Sequence, residues 1–264
     1  MPATPSNERL LPRLGLGFVP VWQRNFLVWR KLMLPSLLGN FGEPLLYLLL
    51  LGYGFGQLVG EVNGVPYMVF LASGILCSSA MMGSSFEGLY SAFTRMSAQR
   101  TWDAMLNTPL GVDDIVLGEV VWAASKACIN AVAIMAVAAA MGLIGGAGLL
   151  LALPVLILAG LCFASMALVV TAVSPSYDFF LYYITLALTP MLLVSGVFFP
   201  LDALPTPVAL LAYLLPLAHV VELVRPLVTG GTPSHVLLHL AVLVGYGSVA
   251  FVIATRLLRR RLGG

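Results

Sequence analysis

The sequence predicts an all-α membrane protein with six transmembrane helices, an N-terminal interfacial helix, a short cytoplasmic helix and short re-entrant or outer helices before the last span. Three observations predict this fold class. Of the 264 residues, 60% are hydrophobic and 9% charged, with a mean hydropathy of +0.99. Six apolar runs are each long enough to cross a bilayer, which takes roughly 20 residues. The basic residues lie beside these runs, as they do in multi-pass membrane proteins.

The N-terminal arm, residues 8–31, mixes large apolar side chains with too many charges to span a membrane. Trp22, Phe26 and Trp29 follow the i, i+4, i+7 spacing of one helical face. This pattern is typical of an amphipathic helix lying at a membrane surface. The alternative is a simple basic flank that sets orientation.

Six spans are predicted from the apolar runs: residues 34–56, 66–90, 118–142, 149–173, 179–200 and 234–256. Residues 91–117 form the longest polar stretch between them. Residues 201–233 contain five prolines and are too broken for one straight span. Two short helices that dip into the outer interface fit this segment better. The whole chain, residues 1–264, then forms one membrane domain.

The orientation follows from the basic residues. Six spans leave the N-terminal arm, the 91–117 loop and the C-terminal tail on one side, and twelve of the thirteen Lys and Arg residues lie in or beside those segments. Arg225 alone falls on the other side. The excess of basic residues on the cytoplasmic side of membrane proteins places both termini in the cytoplasm.

The sequence offers no site for chemistry of its own. Lys31 and Lys126 are the only lysines, and neither follows a glycine as a nucleotide-binding P-loop requires. The three cysteines lie singly in apolar runs without metal-ligand spacing. No nucleophile–base arrangement or carboxylate pair is evident. We therefore expect no catalytic residue, metal or cofactor in this chain, and no nucleic-acid partner.

Three charged residues inside predicted spans require an explanation. Glu43, followed by Pro44, lies about ten residues into the first span. A carboxylate at such a depth costs about 2.5–3.5 kcal/mol, so it is either a pathway or interface residue or a protonated or paired structural one. Glu87 is nearer the cytoplasmic end, where it could reach the interface. Lys126 could extend its stem back to the headgroups.

The loop 91–117 contains a short amphipathic segment, residues 98–106. Trp102, Met105 and Leu106 form its apolar face, while Arg100 and Asp103 are polar. A solvated loop has no need of such a pattern, whereas a helix that docks on a partner does. Either of the two aspartates at 113 and 114 could cap the third span.

Several longer segments resemble the ABC-2 type permeases, and within them the nodulation-type lipooligosaccharide exporter permeases. They are WRKLMLPSLLGNFGEPLLYLLLLGYGFG, SAFTRMSAQRTWDAMLNTPLGVDDIVLGEVVWAASKA, FASMALVVTAVSPSYDFFLYYITLALTPMLLVSGVFFPLDALP, LPLAHVVELVRPL and LLRRRL. Together, in this order, they cover nearly the whole chain. SGVFFPLDALP and LPLAH alone indicate only the wider ABC-2 superfamily.

The resemblance implies a homodimer in the bacterial inner membrane that pairs with two copies of a separate ATPase, which binds the ATP and Mg²⁺. By this likeness, the coupling helix carries the ATPase-docking residues Gln99, Arg100, Thr101, Trp102 and Asp103. Candidate residues for the translocation pathway or dimer interface are Glu43, Pro44, Glu87, Pro190, Phe198, Phe199 and Pro200. For Pro190 and the two phenylalanines, the alternative is ordinary packing of a kinked helix.

The implied function is export of an amphiphilic substrate, such as a lipooligosaccharide or glycolipid, out of the cytoplasm or inner leaflet. Efflux of a drug or another small molecule is the alternative within the same family. An ion-driven transporter would need several intramembrane ionisable residues and internal repeats, and Glu43 is the one deep candidate. A membrane-embedded enzyme or assembly factor would need a catalytic cluster that the sequence does not display.

Overall fold

The computed structural model describes residues 11–263, apart from the side chains of residues 37–41, 43 and 44. Its helices, in chain order, are α1 (Phe18–Lys31), α2 (Met33–Leu46), α3 (Gly52–Val59), α4 (Tyr67–Phe86), α5 (Thr101–Leu106), α6 (Val112–Ala140), α7 (Gly148–Val173), α8 (Phe179–Tyr183), α9 (Thr189–Val194), α10 (Thr206–Ala212), α11 (Pro216–Thr229) and α12 (Val236–Leu262). A hairpin of two strands with two residues each, β1 (Glu61–Val62) and β2 (Val65–Pro66), joins α3 to α4.

Wider π-helical turns interrupt three of the membrane helices. Tyr47–Leu51 joins α2 to α3, and Ile184–Leu188 joins α8 to α9. Two more, Glu87–Ser91 and Thr94–Ala98, extend α4 into one continuous helix, Tyr67–Ala98. Pro190 follows the turn in the fifth run. Because proline has no N–H to donate to the preceding turn, a local widening at this point has a direct cause.

Within the described residues, four helices are long and apolar enough to cross a membrane: Tyr67–Ala98, Val112–Ala140, Gly148–Val173 and Val236–Leu262. A fifth candidate arises if the pair α10 and α11, bent by 88°, counts as one span. Tyr47–Val59 and Phe179–Val194 are apolar but shorter. The chain is therefore a helical membrane protein with four or five candidate spans by length and composition.

Contacts between distant segments define two ends of the helix bundle. At one end, Tyr177 shares a hydrogen bond of 2.9 Å with Thr94, and Arg259 pairs with Asp113 at 2.5 Å. We call this the basic end; it also carries α1 and residues 99–111. The opposite end holds the hairpin, residues 195–215 and the start of α12, and there Tyr67 donates to the carbonyl of Phe198 at 3.3 Å.

The core lies where α4, α6 and α7 meet, with α12 and α11 packed on α7. Small residues allow the backbones to approach closely. A Cβ added to Gly160 would lie 2.9 Å from the Cα of Ala124 on α6, and one added to Gly88 would lie 2.8 Å from the Cβ of Ala167 on α7. Glycine at such contacts is a common packing device of membrane helices.

Two predicted boundaries differ from the structure around the polar loop. The second predicted span ends at residue 90, whereas the helix continues to Ala98; the third begins at 118, whereas α6 begins at Val112. The loop shrinks to residues 99–111 because two of the charged residues that mark 91–117 as polar, Arg95 and Asp113, lie in helices and pair with charged side chains elsewhere in the chain. Among them, Arg95 is only 9% exposed.

The N-terminal arm forms a helix only from Phe18, and residues 8–10 lie outside the described part of the chain. Its aromatic face does not lie free at a surface. The ring centroids of Phe26 and Trp29 are 6.4 and 6.0 Å from that of Trp122 on α6. Trp22 donates to Ser125 of the same helix at 3.0 Å. The amphipathic pattern thus packs α1 against α6.

Candidate functional site

The short helix α5 begins with a sharp reversal of the chain at the basic end. Arg100 adopts a left-handed backbone conformation with φ 49°, which few residues other than glycine adopt without cost. The reversal separates α5 from the long helix that ends at Ala98. It turns the side chains of Gln99, Arg100 and Asp103 outward, where all three are exposed.

Trp102 points the other way and is 0% exposed. Its indole nitrogen donates a 3.1 Å hydrogen bond to Glu119 of α6. Thr101 is half-buried and receives a long 3.5 Å contact from Arg24 of α1. Of the five residues expected to dock on a partner, three are therefore available at the surface, while Trp102 attaches the helix to the bundle.

Beneath α5 lies a buried ionic network of four side chains: Glu87, Arg95, Glu119 and Lys126. Arg95 donates to Glu119 through two nitrogens, and its Nε lies 3.0 Å from Oε1. The same guanidinium reaches Glu87 at 2.9 Å. Lys126 pairs with the other oxygen of Glu87 at 2.7 Å. Two acids and two bases leave the network with no formal charge.

The pairing explains how these charges tolerate burial. Glu87 is 4% exposed and Glu119 is 2% exposed. An ion removed from water is stable only when opposite charges and hydrogen bonds replace its hydration. Trp122 completes the shell of Glu87 with a hydrogen bond of 2.9 Å. The sequence suggested that Lys126 could extend to the lipid headgroups. In the structure, Lys126 instead pairs with Glu87 within the bundle.

The π-helical turns place Glu87 and Arg95 on one face. Eight residues make about 2.2 turns of a regular α-helix, which leaves the two side chains roughly 80° apart. The segments Glu87–Ser91 and Thr94–Ala98 are wider π-helical turns. They absorb this excess rotation, and the two side chains meet. Such turns are rare and occur frequently at functional sites.

Arg24 connects α1 to the same network. It lies beside Asn25, to which it donates at 3.0 Å. Burial lowers the pKa of Arg24, the nearby charge of Arg95 lowers it further, and Glu119 opposes both effects. Three elements therefore meet beneath α5: α1, the end of the α4 helix and α6.

A second ionic contact, at the basic end of the bundle, links an N-terminal and a C-terminal segment of the chain. Asp113 accepts from Arg259 of α12 at 2.7 and 2.5 Å and from the backbone N–H of Arg13 at 2.6 Å. The neighbouring Asp114 caps α6, since its carboxylate accepts the N–H of Gly111 at 3.0 Å. The two aspartates, equivalent as capping candidates in the sequence, therefore have different partners.

The candidate pathway residues do not form one cluster. Glu87 belongs to the network at the basic end. Phe198 is at the opposite end, with its ring centroid 6.1 Å from that of Tyr47. Phe199 and Pro190 are exposed on the surface of the chain, and Pro200 is half-buried. The side chains of Glu43 and Pro44 lie outside the described part of the structure.

Sequence patterns predicted the short helix α5 but did not single out Arg95 and Glu119. Both stand in the polar stretch 91–117 or directly beside it, where they look like solvated loop residues. Their spacing of 24 positions matches no helical period. The available signal was weak: a lone acid, Glu119, sits at the start of an otherwise apolar run.

Comparison with known proteins finds similarity to membrane transport proteins of one family. The family model described as ABC-2 type transporter matches residues 18–228. Nodulation protein J of Rhizobium leguminosarum bv. viciae is 50% identical over 252 residues, 96% of this chain and 97% of that protein. Nodulation protein J of Rhizobium meliloti (strain 1021) is 48% identical over 96% of each chain. The inner membrane transport permease YadH of Escherichia coli (strain K12) is 21% identical over 76% of this chain and 78% of its own.

Proposed function

The chain belongs to the ABC-2 type transporter family, and we propose that it is the membrane subunit of an exporter driven by a separate ATPase. The observation that carries this proposal is the arrangement of α5. Exposed polar residues on one side of this helix offer a surface for a partner, and a fully buried tryptophan on the other side joins it to the bundle. A partner that moves α5 therefore moves the helices beneath it.

The ionic network is the route that we propose for this movement. A displacement of Trp102 acts on Glu119 of α6, and Arg95 passes it to Glu87 of the long α4 helix. Glu87 in turn pairs at 2.7 Å with Lys126, which lies on α6 roughly two turns further into the bundle than Glu119. In the dimer that we propose, two ATPase subunits bind ATP and Mg²⁺, close together and push on two copies of α5.

We further propose six crossings with both termini in the cytoplasm. The run Phe179–Val194 begins beside Tyr177 at the basic end and leads to Phe198 at the opposite end. Its helical length is roughly 24 Å, somewhat less than the roughly 30 Å of a hydrocarbon core. Local thinning of the bilayer accommodates such differences at modest cost. Residues 33–59 link the same two ends.

For the cargo, we propose an amphiphilic molecule such as a lipooligosaccharide or related glycolipid. The support is the high identity, over nearly the whole chain, to proteins named nodulation protein J. The alternative within the same family is efflux of a drug or another small molecule.

The test is coupling between the permease and its ATPase. The chain and its cognate ATPase are reconstituted together in vesicles, and ATP turnover and cargo release are measured. Replacing both Arg100 and Asp103 by Ala should abolish transport and the permease-dependent part of ATP turnover. The matched control is Arg30→Ala with Asp178→Ala, which removes the same two charge types from exposed positions outside α5. Normal transport by the α5 variant would refute the docking assignment.

A second arm separates the proposed energy source from its alternative. Transport that continues without the ATPase but stops when the proton gradient is collapsed would refute the ATP-driven mechanism. Transport that requires ATP and survives collapse of the gradient supports it.

A further inference from the structure

A polar cavity of about 220 Å³ lies at the end of the molecule opposite the basic end. Its walls come from the hairpin loop, from the turn Leu201–Ala203 and from the bent pair α10 and α11. Five of the nine lining residues have polar side chains: Asn63, Asp202, Tyr213, Glu222 and Arg225. By contrast, a larger groove of about 610 Å³ between α7 and α12 is lined almost entirely by apolar side chains.

Arg225 is held in place at one wall of the cavity. Its Nε donates to Ser73 at 2.9 Å, and its Nη2 donates to the carbonyl of Gly196 at 2.7 Å. The guanidinium carbon lies 3.6 Å from the centroid of the Phe70 ring. In the described part of the chain, Nη1 has no hydrogen-bond partner. The protein thus fixes the guanidinium and leaves both N–H groups of Nη1 for a ligand.

Two carboxylates supply acceptors in the same cavity. Glu222 stands one turn before Arg225 on α11 and is half-buried, and Asp202 is exposed at the other wall. Neither makes a hydrogen bond or ion pair with the residues that the structure describes. Tyr213, 42% exposed, adds an aromatic face and a hydroxyl at the cavity wall.

This mixture of groups narrows the ligand chemistry. An anion would be repelled by the two carboxylates, and the fixed guanidinium offsets part of their attraction for a cation. Among the described residues, no group of three or more His, Cys, Asp and Glu side chains is placed to hold a metal ion. A neutral group with many hydroxyls satisfies both sets, since each hydroxyl donates to a carboxylate and accepts from Arg225 or Asn63.

We propose that this cavity binds one ring of a neutral, hydroxyl-rich headgroup as the cargo reaches the outer end of the permease. The inference rests on the proposed export function and adds a binding site to it. The volume fits, because about 220 Å³ equals the space of roughly seven waters at about 30 Å³ each, which is comparable to a single sugar ring. The apolar tail of such a cargo would remain in the bilayer beside the bundle.

The experiment measures sugar binding by the complete permease, with its ATPase, in lipid nanodiscs. Maltose is the probe, and saturation-transfer NMR gives its dissociation constant. Asp202→Asn combined with Glu222→Gln should weaken maltose binding at least about tenfold, because hydrogen bonds to charged groups are replaced by weaker neutral ones. Glu61→Gln, which removes an exposed carboxylate from the hairpin at the same end without touching the cavity, should bind maltose like the wild type.

Two further probes test the choice of ligand class. Choline and glycerol 3-phosphate, a cation and an anion, should bind more weakly than maltose. The proposal is overturned if the wild type does not bind maltose, if the double variant binds it equally well, or if either charged probe binds better. Should the double variant misfold, Asp202→Asn alone decides the matter, because an exposed side chain is not needed for folding.

Permease-dependent ATP turnover in the same nanodiscs separates this proposal from the proposed function. The double variant should retain it, because the cavity lies at the end opposite α5. If ATP turnover in the wild-type nanodiscs does not depend on the permease, that result contradicts the export function. Maltose binding is measured separately and decides the cavity proposal. Loss of maltose binding with normal turnover supports a headgroup site.

Discussion

The buried ionic network gives the sharpest prediction about this protein. Glu119→Gln removes one charge while leaving a side chain of the same size. Glu119 accepts hydrogen bonds from two nitrogens of Arg95 and from the indole nitrogen of Trp102. The substitution therefore leaves the Arg95 guanidinium without its main counter-ion, in a residue that is only 9% exposed. Removing one partner of a buried pair costs about 3–5 kcal/mol.

The compensating double variant makes the prediction quantitative. Arg95→Met alone leaves the two acids with a single base, whereas Arg95→Met with Glu119→Gln leaves Glu87 paired with Lys126 at 2.7 Å and keeps an acceptor for the indole of Trp102. Each single variant should lower the midpoint of thermal unfolding by about 6–20 °C, the scale that corresponds to about 3–5 kcal/mol for a chain of this size. The double variant should recover most of that loss, because removing both partners leaves no buried ion without a counter-ion.

The assay is thermal unfolding in lipid nanodiscs, followed by tryptophan fluorescence and by loss of the monodisperse species. A loss in the double variant that equals the sum of the two single losses would refute the reasoning, because it would mean that the ions do not depend on one another. The double variant also separates stability from transmission. If it is stable but no longer couples ATP turnover to transport, the charges transmit movement; if coupling returns with stability, the network only supports the fold.

Two more predictions concern packing at the two ends. Gly148→Ala should destabilise the protein by about 1–3 kcal/mol, because the added Cβ would lie 1.9 Å from a carbonyl oxygen of α11; Gly145→Ala, with no atom within 4 Å of the added Cβ, serves as its control in thermal unfolding. Asp113→Asn should speed trypsin cleavage in the arginine-rich end of α12, because it weakens the contacts at 2.5 and 2.7 Å that hold Arg259. Asp114→Asn, whose contact lies at the start of α6, should leave that cleavage rate unchanged, and equal rates in both aspartate variants would contradict the tether.

The fold class followed from the sequence because bilayer solvent imposes simple demands. Lipid-facing helices must be apolar over about 20 residues and satisfy their own backbone groups. The helix α7 therefore appears in the sequence as an apolar run without a charged residue, and α6 and α12 appear as predominantly apolar runs. The family could also be predicted from the sequence, because the motifs that indicate it are spread along the whole chain. Six crossings and the direction of insertion stay predictions.

The short helix α5 could be predicted because its pattern is local. Within residues 98–106, the alternation of apolar and polar side chains on a 3.6-residue period separates Trp102 from Arg100 and Asp103. The structure places them accordingly, with the tryptophan buried and the two charged residues exposed. Which of these residues bind an ATPase stays a prediction that the coupling experiment tests.

The chain's amino-acid order alone determined an apolar helical bundle, its basic side and a short helix with one apolar face. The tertiary structure decided what lies beneath that helix. Glu87 and Lys126 are 39 positions apart, and Arg225 reaches Ser73 across 152 positions. Periodicity reports which face of a helix is apolar, but it contains no information about which distant helix covers that face. A buried charge looks costly in the sequence until packing brings its counter-ion, and that pairing is a property of the folded bundle.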